Sequence, residues 1–373
     1  MKSDHLLPLT SLRFFAALPI VILHIYGPIL PGPMQQPLFL GVSFFFVLSG
    51  FILMHVYRDG VEPKRFYFAR FARLWPVHIV TLCLMLALIP TGAGWRLDFI
   101  GPLIANVLMV HSWFPLLGFP SSFNSPSWSI SAEAFFYLLF PILLSRHWRV
   151  CLIAMAVITA WALLVLEIDG QPMTHGEMWQ FSRISLLLNH PLMHMLEFGV
   201  GTWAGRLFIE RPRAWTVGHA TLLEAASLLA LAAYIAAKPE WYVVVDLGLK
   251  NVGVWMEHSS KMLLFAVIVF IFAHQRGAIS RLLSWHPLVI LGEISFATYM
   301  LHKVVILFAA RHGWVAAIGT TPTVIAIFVI TYAASWALWK GVEKPARLWL
   351  LGLWSRPRSL AGDLKMDVPV GAP

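Results

Sequence analysis

Long hydrophobic runs recur along the whole chain, separated by short stretches that hold Pro, Gly and clustered Arg or Lys. The runs fall at about 12–28, 38–57, 74–90, 127–145, 150–167, 190–209, 215–237, 260–274, 287–308 and 321–339. An apolar run of roughly 20 residues crosses a bilayer as a helix, because every backbone polar group must be satisfied inside the segment. No alternating apolar and polar pattern of barrel strands occurs. The stretch 99–127 breaks the rhythm: it begins apolar and is then interrupted by Pro115, Gly118, Pro120 and Pro126 with several Ser. As a full span it would place the basic turn from Arg146 to Arg149, and also Arg206, Arg211 and Arg213, outside the membrane. As a re-entrant or interfacial segment on the outer side it places all of them inside, as the positive-inside rule requires. The pattern therefore predicts an all-α polytopic membrane protein with about ten transmembrane helices and cytoplasmic N- and C-termini. It also predicts one re-entrant segment near 99–127 that roofs a cavity.

Composition sharpens this picture. The chain is 59% hydrophobic and 12% charged, about half the charged fraction of a soluble domain. A net charge of +9 in a soluble protein would hint at nucleic acid. Here the Lys and Arg sit between apolar runs, so topology and lipid headgroups account for them and no nucleic-acid partner is expected. The most basic stretch, with Arg58, Lys64, Arg65, Arg70 and Arg73 against Asp59 and Glu62, is predicted to be a cytoplasmic loop. Cys83 and Cys151 lie inside apolar runs and offer neither metal spacing nor a disulfide framework. No small-x-small site follows the first run, which reads as a retained span. Residues 1–354 form one transmembrane domain in this reading. Residues 355–373, rich in Pro and Gly, form a disordered cytoplasmic tail.

Within the runs, a few polar residues stand where lipid-facing helices avoid them. Arg13 and His24 are eleven positions apart, which puts them on one helical face with a rise of ~16 Å between them. Ser129, Glu133 and Tyr137 share a face at i, i+4, i+8, and Ser295, Tyr299 and His302 do so at i, i+4, i+7. The predicted topology puts His24, Glu133 and His302 at a similar depth in the outer half, and His with a carboxylate is the usual make-up of a general-base site. The plainer alternative is a set of hydrogen bonds between helices. Near the inner surface, Arg70 and Arg73 neighbour each other at i, i+3, and paired guanidinium groups suit phosphate oxygens. Binding of anionic lipid is the alternative there. His78 reads as structural. His190, His194 and Glu197 have a spacing compatible with a metal, but no facing ligand set accompanies them and no metal site is expected.

Several stretches carry a family likeness. LTSLRFFAALPIVILH places Arg13 and His24. GVSFFFVLSGFIL ends in Ser49, Gly50 and Phe51, and RFARLWP contains Arg70, Arg73, Trp75 and Pro76. SWSISAEAFFYLLFP holds Trp128, Ser129, Ser131, Glu133, Phe136, Tyr137 and Pro141. LEFGVG holds Glu197, Phe198 and Gly201, ISFATYMLH holds Ser295, Phe296, Tyr299 and His302, and VEKPAR holds Glu343 and Pro345. Together and in this order they resemble the acyltransferase-3 family of integral membrane acyltransferases, which includes bacterial O-antigen, exopolysaccharide and Nod-factor acetylases and macrolide acyltransferases. One departure is Ala134, where the family often has a second acidic residue, so paired carboxylates are missing at that point. No soluble hydrolase-like domain of the kind some relatives append is expected.

The resemblance implies a multi-pass enzyme of the bacterial cytoplasmic (inner) membrane. It implies transfer of an acyl group, usually acetyl, from cytoplasmic acyl-CoA to a hydroxyl of a carbohydrate or glycolipid, with acyl-CoA as co-substrate and no permanently bound cofactor. Arg13, Arg70 and Arg73 would then meet the CoA phosphates, and the pantetheine arm would cover the ~16 Å from Arg13 to His24. His24 would act as general base, with Glu133 orienting its imidazole or shaping the acceptor end. Trp128, Ser129, Ser131, Tyr137, Ser295, Tyr299 and His302 would line the pore or the acceptor site. The alternative is a transporter or flippase of a sugar or lipid-linked substrate, which explains the intramembrane His and Glu but not the arginines.

Overall fold

The computed structural model describes residues 6–30, 40–88, 97–169, 179–211, 214–237 and 249–355. Every described secondary-structure element is helical. The N-terminal half comprises α1 (Leu7–Ile25), α2 (Leu40–Val56), α3 (Pro63–Leu88), α4 (Leu97–Val107), α5 (Trp128–Leu144) and α6 (Trp148–Asp169). There follow α7 (Arg183–Asn189), α8 (Pro191–Glu210), α9 (Val217–Ala237), α10 (Lys250–Ser259), α11 (Met262–Ala273) and α12 (Ala278–Leu283). The last are α13 (His286–Glu293), α14 (Ser295–Arg311), α15 (Trp314–Ile318), α16 (Thr320–Leu338) and α17 (Lys344–Ser355). Among the described residues, seven helices are long and apolar enough to cross a membrane, or eight if α13 and α14 count as one bent span. The chain is a multi-pass membrane protein. Its lipid-facing side is plain on α6, where Val150, Ile153, Val157, Trp161, Leu164 and Ile168 are all exposed and recur every three to four residues.

Small residues bring the central helices close. A Cβ on Gly50 of α2 would stand 2.2 Å from the Phe198 carbonyl oxygen of α8, and one on Gly201 would stand 2.0 Å from that of Val47. Such contact between backbones is how helices associate where lipid removes the hydrophobic driving force. Gly41 lies equally close to Ala16 of α1, and Gly292 of α13 to Thr10 of α1. Around this centre, Phe46, Phe136, Phe140 and Phe198 form a buried aromatic core. The Glu224 carboxylate of α9, fully buried, accepts the N–H groups of Gly277, Ile279 and Ser280 at 3.0–3.1 Å. It thereby satisfies the free donors at the start of α12.

The structure corrects several boundaries. Arg70 and Arg73 lie inside α3, not in a loop before it, because the helix already starts at Pro63. The span expected at 260–274 begins earlier, with α10 and α11 together forming one candidate span, Lys250–Ala273. The span expected at 287–308 is broken, with α13 and α14 meeting at 58°. The last span runs on through a π turn at Trp339–Glu343 into α17, so Lys340, Lys344 and Arg347 are helical rather than part of a tail. The tail from 356 onward lies outside the described residues.

The stretch 99–127 is α4 followed by irregular chain with short 3-10 turns at His111–Trp113 and Ser125–Ser127. Its backbone groups find partners nearby, as buried main chain must. Leu117 N–H donates to Gln180 O at 2.9 Å and Ser182 N–H to Pro115 O at 2.8 Å. Asn124 Nδ2 donates to Met300 O at 2.9 Å, and His78 Nε2 donates to Asn106 O at 2.8 Å. The segment is thus fixed against α3, α14 and the chain before α7.

Candidate active site

A cavity opens between α1, α2, α3, α5 and α14. Its walls include Arg13, Phe45, Phe46, Ser49, Arg70, Arg73, Ser129, Glu133, Tyr137, Ser295, Phe296 and Tyr299. One end is cationic. Arg73 Nη1 donates to Glu343 Oε1, from the π turn, and the Arg73 guanidinium lies 5.3 Å from the centre of the Phe296 ring. Arg70 Nη2 donates to Tyr57 Oη at 3.3 Å, and its guanidinium sits 5.6–5.9 Å from the rings of Tyr57, Phe66 and Tyr137. Its Nε is buried without a hydrogen-bond partner. Arg13 comes within electrostatic reach of Arg73, Glu343 and Glu133. Three guanidinium groups therefore converge on one cavity against two carboxylates.

Further along, Glu133 Oε1 accepts from Ser49 Oγ at 2.7 Å and from Tyr137 Oη at 2.6 Å. The next layer is a hydroxyl pair: Ser129 Oγ and Tyr299 Oη are 2.8 Å apart, and Tyr299 Oη donates to Pro126 O at 2.9 Å. Ser295 Oγ donates to Gly292 O at 2.7 Å, across the break before α14. Behind Tyr299 stands His302, the two rings 5.9 Å apart. His302 Nε2 lies 3.2 Å from His24 Nδ1, and His24 Nδ1 also lies 2.8 Å from Ile20 O. His302 is fully buried, and neither imidazole belongs to the cavity wall.

A profile described as an acyltransferase domain matches residues 9–340. The chain belongs to the acyltransferase-3 family. Among its relatives is the acyltransferase MdmB of Streptomyces mycarofaciens, 36% identical over 151 residues, which cover 36% of this chain and 38% of MdmB. The O-acetyltransferase OatA of Staphylococcus aureus (strain NCTC 8325 / PS 47) is 24% identical over 331 residues, 83% of this chain and 52% of OatA. YrhL of Bacillus subtilis (strain 168), named as a proposed peptidoglycan O-acetyltransferase, is 24% identical over 341 residues, 80% of this chain and 48% of YrhL. The chain thus spans about half the length of the OatA and YrhL relatives it matches. No solved structure matches it.

Set against the family motifs, the structure gathers Arg13, Arg70, Arg73, Ser129, Glu133, Tyr137, Ser295 and Tyr299 on the cavity and leaves others off it. Ser131 is not a wall residue: its Oγ accepts the Ser112 N–H at 3.0 Å, holding the irregular segment down. Trp128 packs instead against Phe46 and His194, with ring centres 6.0 and 5.2 Å away. His302 faces His24 rather than a pore. The similar depth expected for Glu133 and the two histidines does not hold. The contact between Ser129 and Tyr299 sets the register. Glu133 lies four residues from it toward the arginines, and His302 lies three residues from it in the other direction. The two are thus about 10 Å apart along the helices. Glu133 consequently bonds to Ser49 and Tyr137, and the partner of His24 is His302.

Two groups that matter to this geometry lie in the motifs quoted above without a role assigned to them there. Ser49 reaches Glu133 from the Ser-Gly-Phe element, and Glu343, from the closing Glu-x-Pro, pairs with Arg73. Tyr57, beyond the end of α2, had no signal. His190 and His194 give ring nitrogens to main chain, at Trp113 O (3.0 Å) and Leu188 O (3.0 Å). Among the described residues, no group of three or more His, Cys, Asp or Glu is arranged to hold a metal.

Proposed function

We propose that the chain is a membrane O-acyltransferase that moves an acyl group, acetyl in the first instance, from acyl-CoA to a hydroxyl of a carbohydrate or glycolipid. Family membership and the O-acetyltransferase names of OatA and YrhL support the reaction class. The observation that carries the donor assignment is the convergence of Arg13, Arg70 and Arg73 on one cavity. Guanidinium groups match phosphate oxygens in geometry and charge, and the buried, unpartnered Nε of Arg70 is a donor that a phosphate would satisfy. The cavity, about 170 Å³, is small beside the ~300 Å³ or more of common ligand sites. It suits an extended pantetheine arm, with the nucleotide left at the arginine end.

In this reading the thioester lies toward Ser129 and Tyr299, and His24 serves as general base on the acceptor hydroxyl, a role worth on the order of 10²–10⁴ in rate. Glu133, held by Ser49 and Tyr137, balances part of the charge of the arginines. Tyr299, held by Ser129 and Pro126 O, stands between the cavity and His302, and transfer requires the thioester carbon and the acceptor hydroxyl to meet within hydrogen-bond reach of His24 Nε2. The test is to incubate detergent-purified protein with labelled acetyl-CoA and extracted cell glycolipid. Equal release of CoA thiol and gain of label in lipid or sugar is the expected result. A transporter would release no thiol, and that result would replace the enzyme reading.

A further inference from the structure

The hydrogen bonds around the two histidines determine where their protons sit. A carbonyl oxygen only accepts, so a ring nitrogen bonded to one must carry hydrogen. His302 Nδ1 is 3.2 Å from Thr298 O, and His24 Nδ1 is 2.8 Å from Ile20 O. Both Nδ1 atoms are therefore protonated. His302 Nε2 lies 3.2 Å from His24 Nδ1. A second proton on His302 would set one N–H against another, so this Nε2 presents a lone pair. The Nδ1–H of His24 is then shared between Ile20 O and His302 Nε2. Its own Nε2 is left without a proton, which is the form a base requires. The rings meet tilted at 58°, with centres 4.9 Å apart, so this is an edge contact and not a stack. His302 is itself locked: it is fully buried, and Thr298, one turn earlier, is tied back to Ile294 O at 3.1 Å.

We propose that His302 is a positioning residue for His24. Ile20 O already holds His24 in the Nδ1–H tautomer; His302 Nε2 accepts the same hydrogen, fixes the plane of the ring, and accepts more strongly when His24 becomes charged. The proposal rests on the acyl-transfer reading of His24 given above. In the step itself the acceptor O–H bond breaks and its proton passes to His24 Nε2. The hydroxyl oxygen bonds to the thioester carbonyl carbon, the C–S bond breaks, and the thiolate takes the proton from His24 to leave as CoA thiol. His302 gains and loses no proton. Its Nε2 stays bonded to His24 Nδ1–H throughout, doing for this imidazole what a buried carboxylate does in other base pairs.

Two measurements separate this role from simple packing. First, 15N-histidine NMR of the detergent-purified protein, with His24 assigned by its absence in His24→Gln, reads the tautomer directly. Wild type is expected to show His24 protonated at Nδ1 and bare at Nε2. His302→Phe, which keeps bulk and removes the second acceptor, should keep the Nδ1–H tautomer, held by Ile20 O, but shift the His24 Nδ1 resonance and make the imidazole harder to protonate, so that its NMR titration moves to lower pH. Second, His302→Phe should lower kcat for CoA thiol release by about 10- to 100-fold, short of the ~10²–10⁴ expected for loss of the base itself. KM for acetyl-CoA should stay within about two-fold. His302→Gln, whose amide oxygen can accept from Nδ1–H, should recover part of both signals. Wild-type His24 carrying its proton on Nε2 would overturn the proposal. So would a His302→Phe protein with unchanged His24 Nδ1 resonance, titration and kcat. If wild type released no thiol at all, the acyl-transfer reading would fail, whereas the NMR result would still decide the His24–His302 pairing. Should His302→Phe not fold, the wild-type tautomer and the His302→Gln protein carry the test.

Discussion

Ser129 and Ser131 are two residues apart on α5 and therefore about 200° apart around it. One reaches Tyr299 in the cavity, and the other reaches the main chain of Ser112 on the opposite side. Their substitutions should separate accordingly. Ser131→Ala leaves a buried N–H without a partner, a loss of about 1–3 kcal/mol. It should lower the melting temperature in detergent while KM for acetyl-CoA stays unchanged. Ser129→Ala should instead lower kcat, because Tyr299 loses its side-chain partner. A Ser131→Ala protein that melts normally but has lost donor affinity would contradict this assignment. The i, i+4, i+8 stripe of Ser129, Glu133 and Tyr137 was readable from spacing, since the helix puts these side chains on one face. The partners of Glu133 were not readable, because they depend on how far α2, α5 and α14 slide along one another. No single-helix pattern contains that offset. Ser131 was grouped with its neighbours by motif, although the helical period alone separates it.

At the scale of elements, the glycines on α2 and α8 matter more than the apolar residues around them. Gly50 meets the backbone of Phe198, which cannot move aside as a flexible side chain can. Gly50→Ala should therefore destabilise the protein by roughly 1–3 kcal/mol or more. Gly218→Ala, where nothing lies within 4 Å, should be neutral or add up to ~1 kcal/mol through helix propensity. Melting of both variants in one detergent checks the contrast, and equal melting temperatures would rule out a close approach of α2 and α8. The positions of most long helices were evident in the apolar runs. The break between α13 and α14 was not, because Gly292 is ordinary in a membrane helix and its close approach to the backbone of Thr10 on α1 is a tertiary contact that no single-helix pattern contains. The early start of α3 was hidden for another reason. Its first turns are too basic for a membrane run and are helical because they extend a helix already formed.

For the whole molecule, charge distribution sets topology, and the stretch 99–127 decides it. With Cys83 and Cys151 replaced by Ser, a cysteine at the exposed position 121 (Ser121→Cys) should react with an impermeant maleimide in intact cells. One at exposed position 64 (Lys64→Cys) should react only after permeabilisation. The reverse pattern would invert the molecule and with it the side from which donor enters. As proposed, the protein is two-ended, with donor held by arginines and chemistry performed at His24, ~16 Å away along α1. The most direct test measures acetyl-CoA binding and CoA thiol release together in wild type, His24→Ala and Arg70→Ala/Arg73→Ala, with folding checked for each. His24→Ala is expected to bind acetyl-CoA as wild type does and to lose turnover by roughly 10²–10⁴. The double arginine variant should weaken binding by about 10- to 100-fold for each guanidinium group removed. Full turnover without His24, or undiminished binding without the arginines, would contradict the two-ended site.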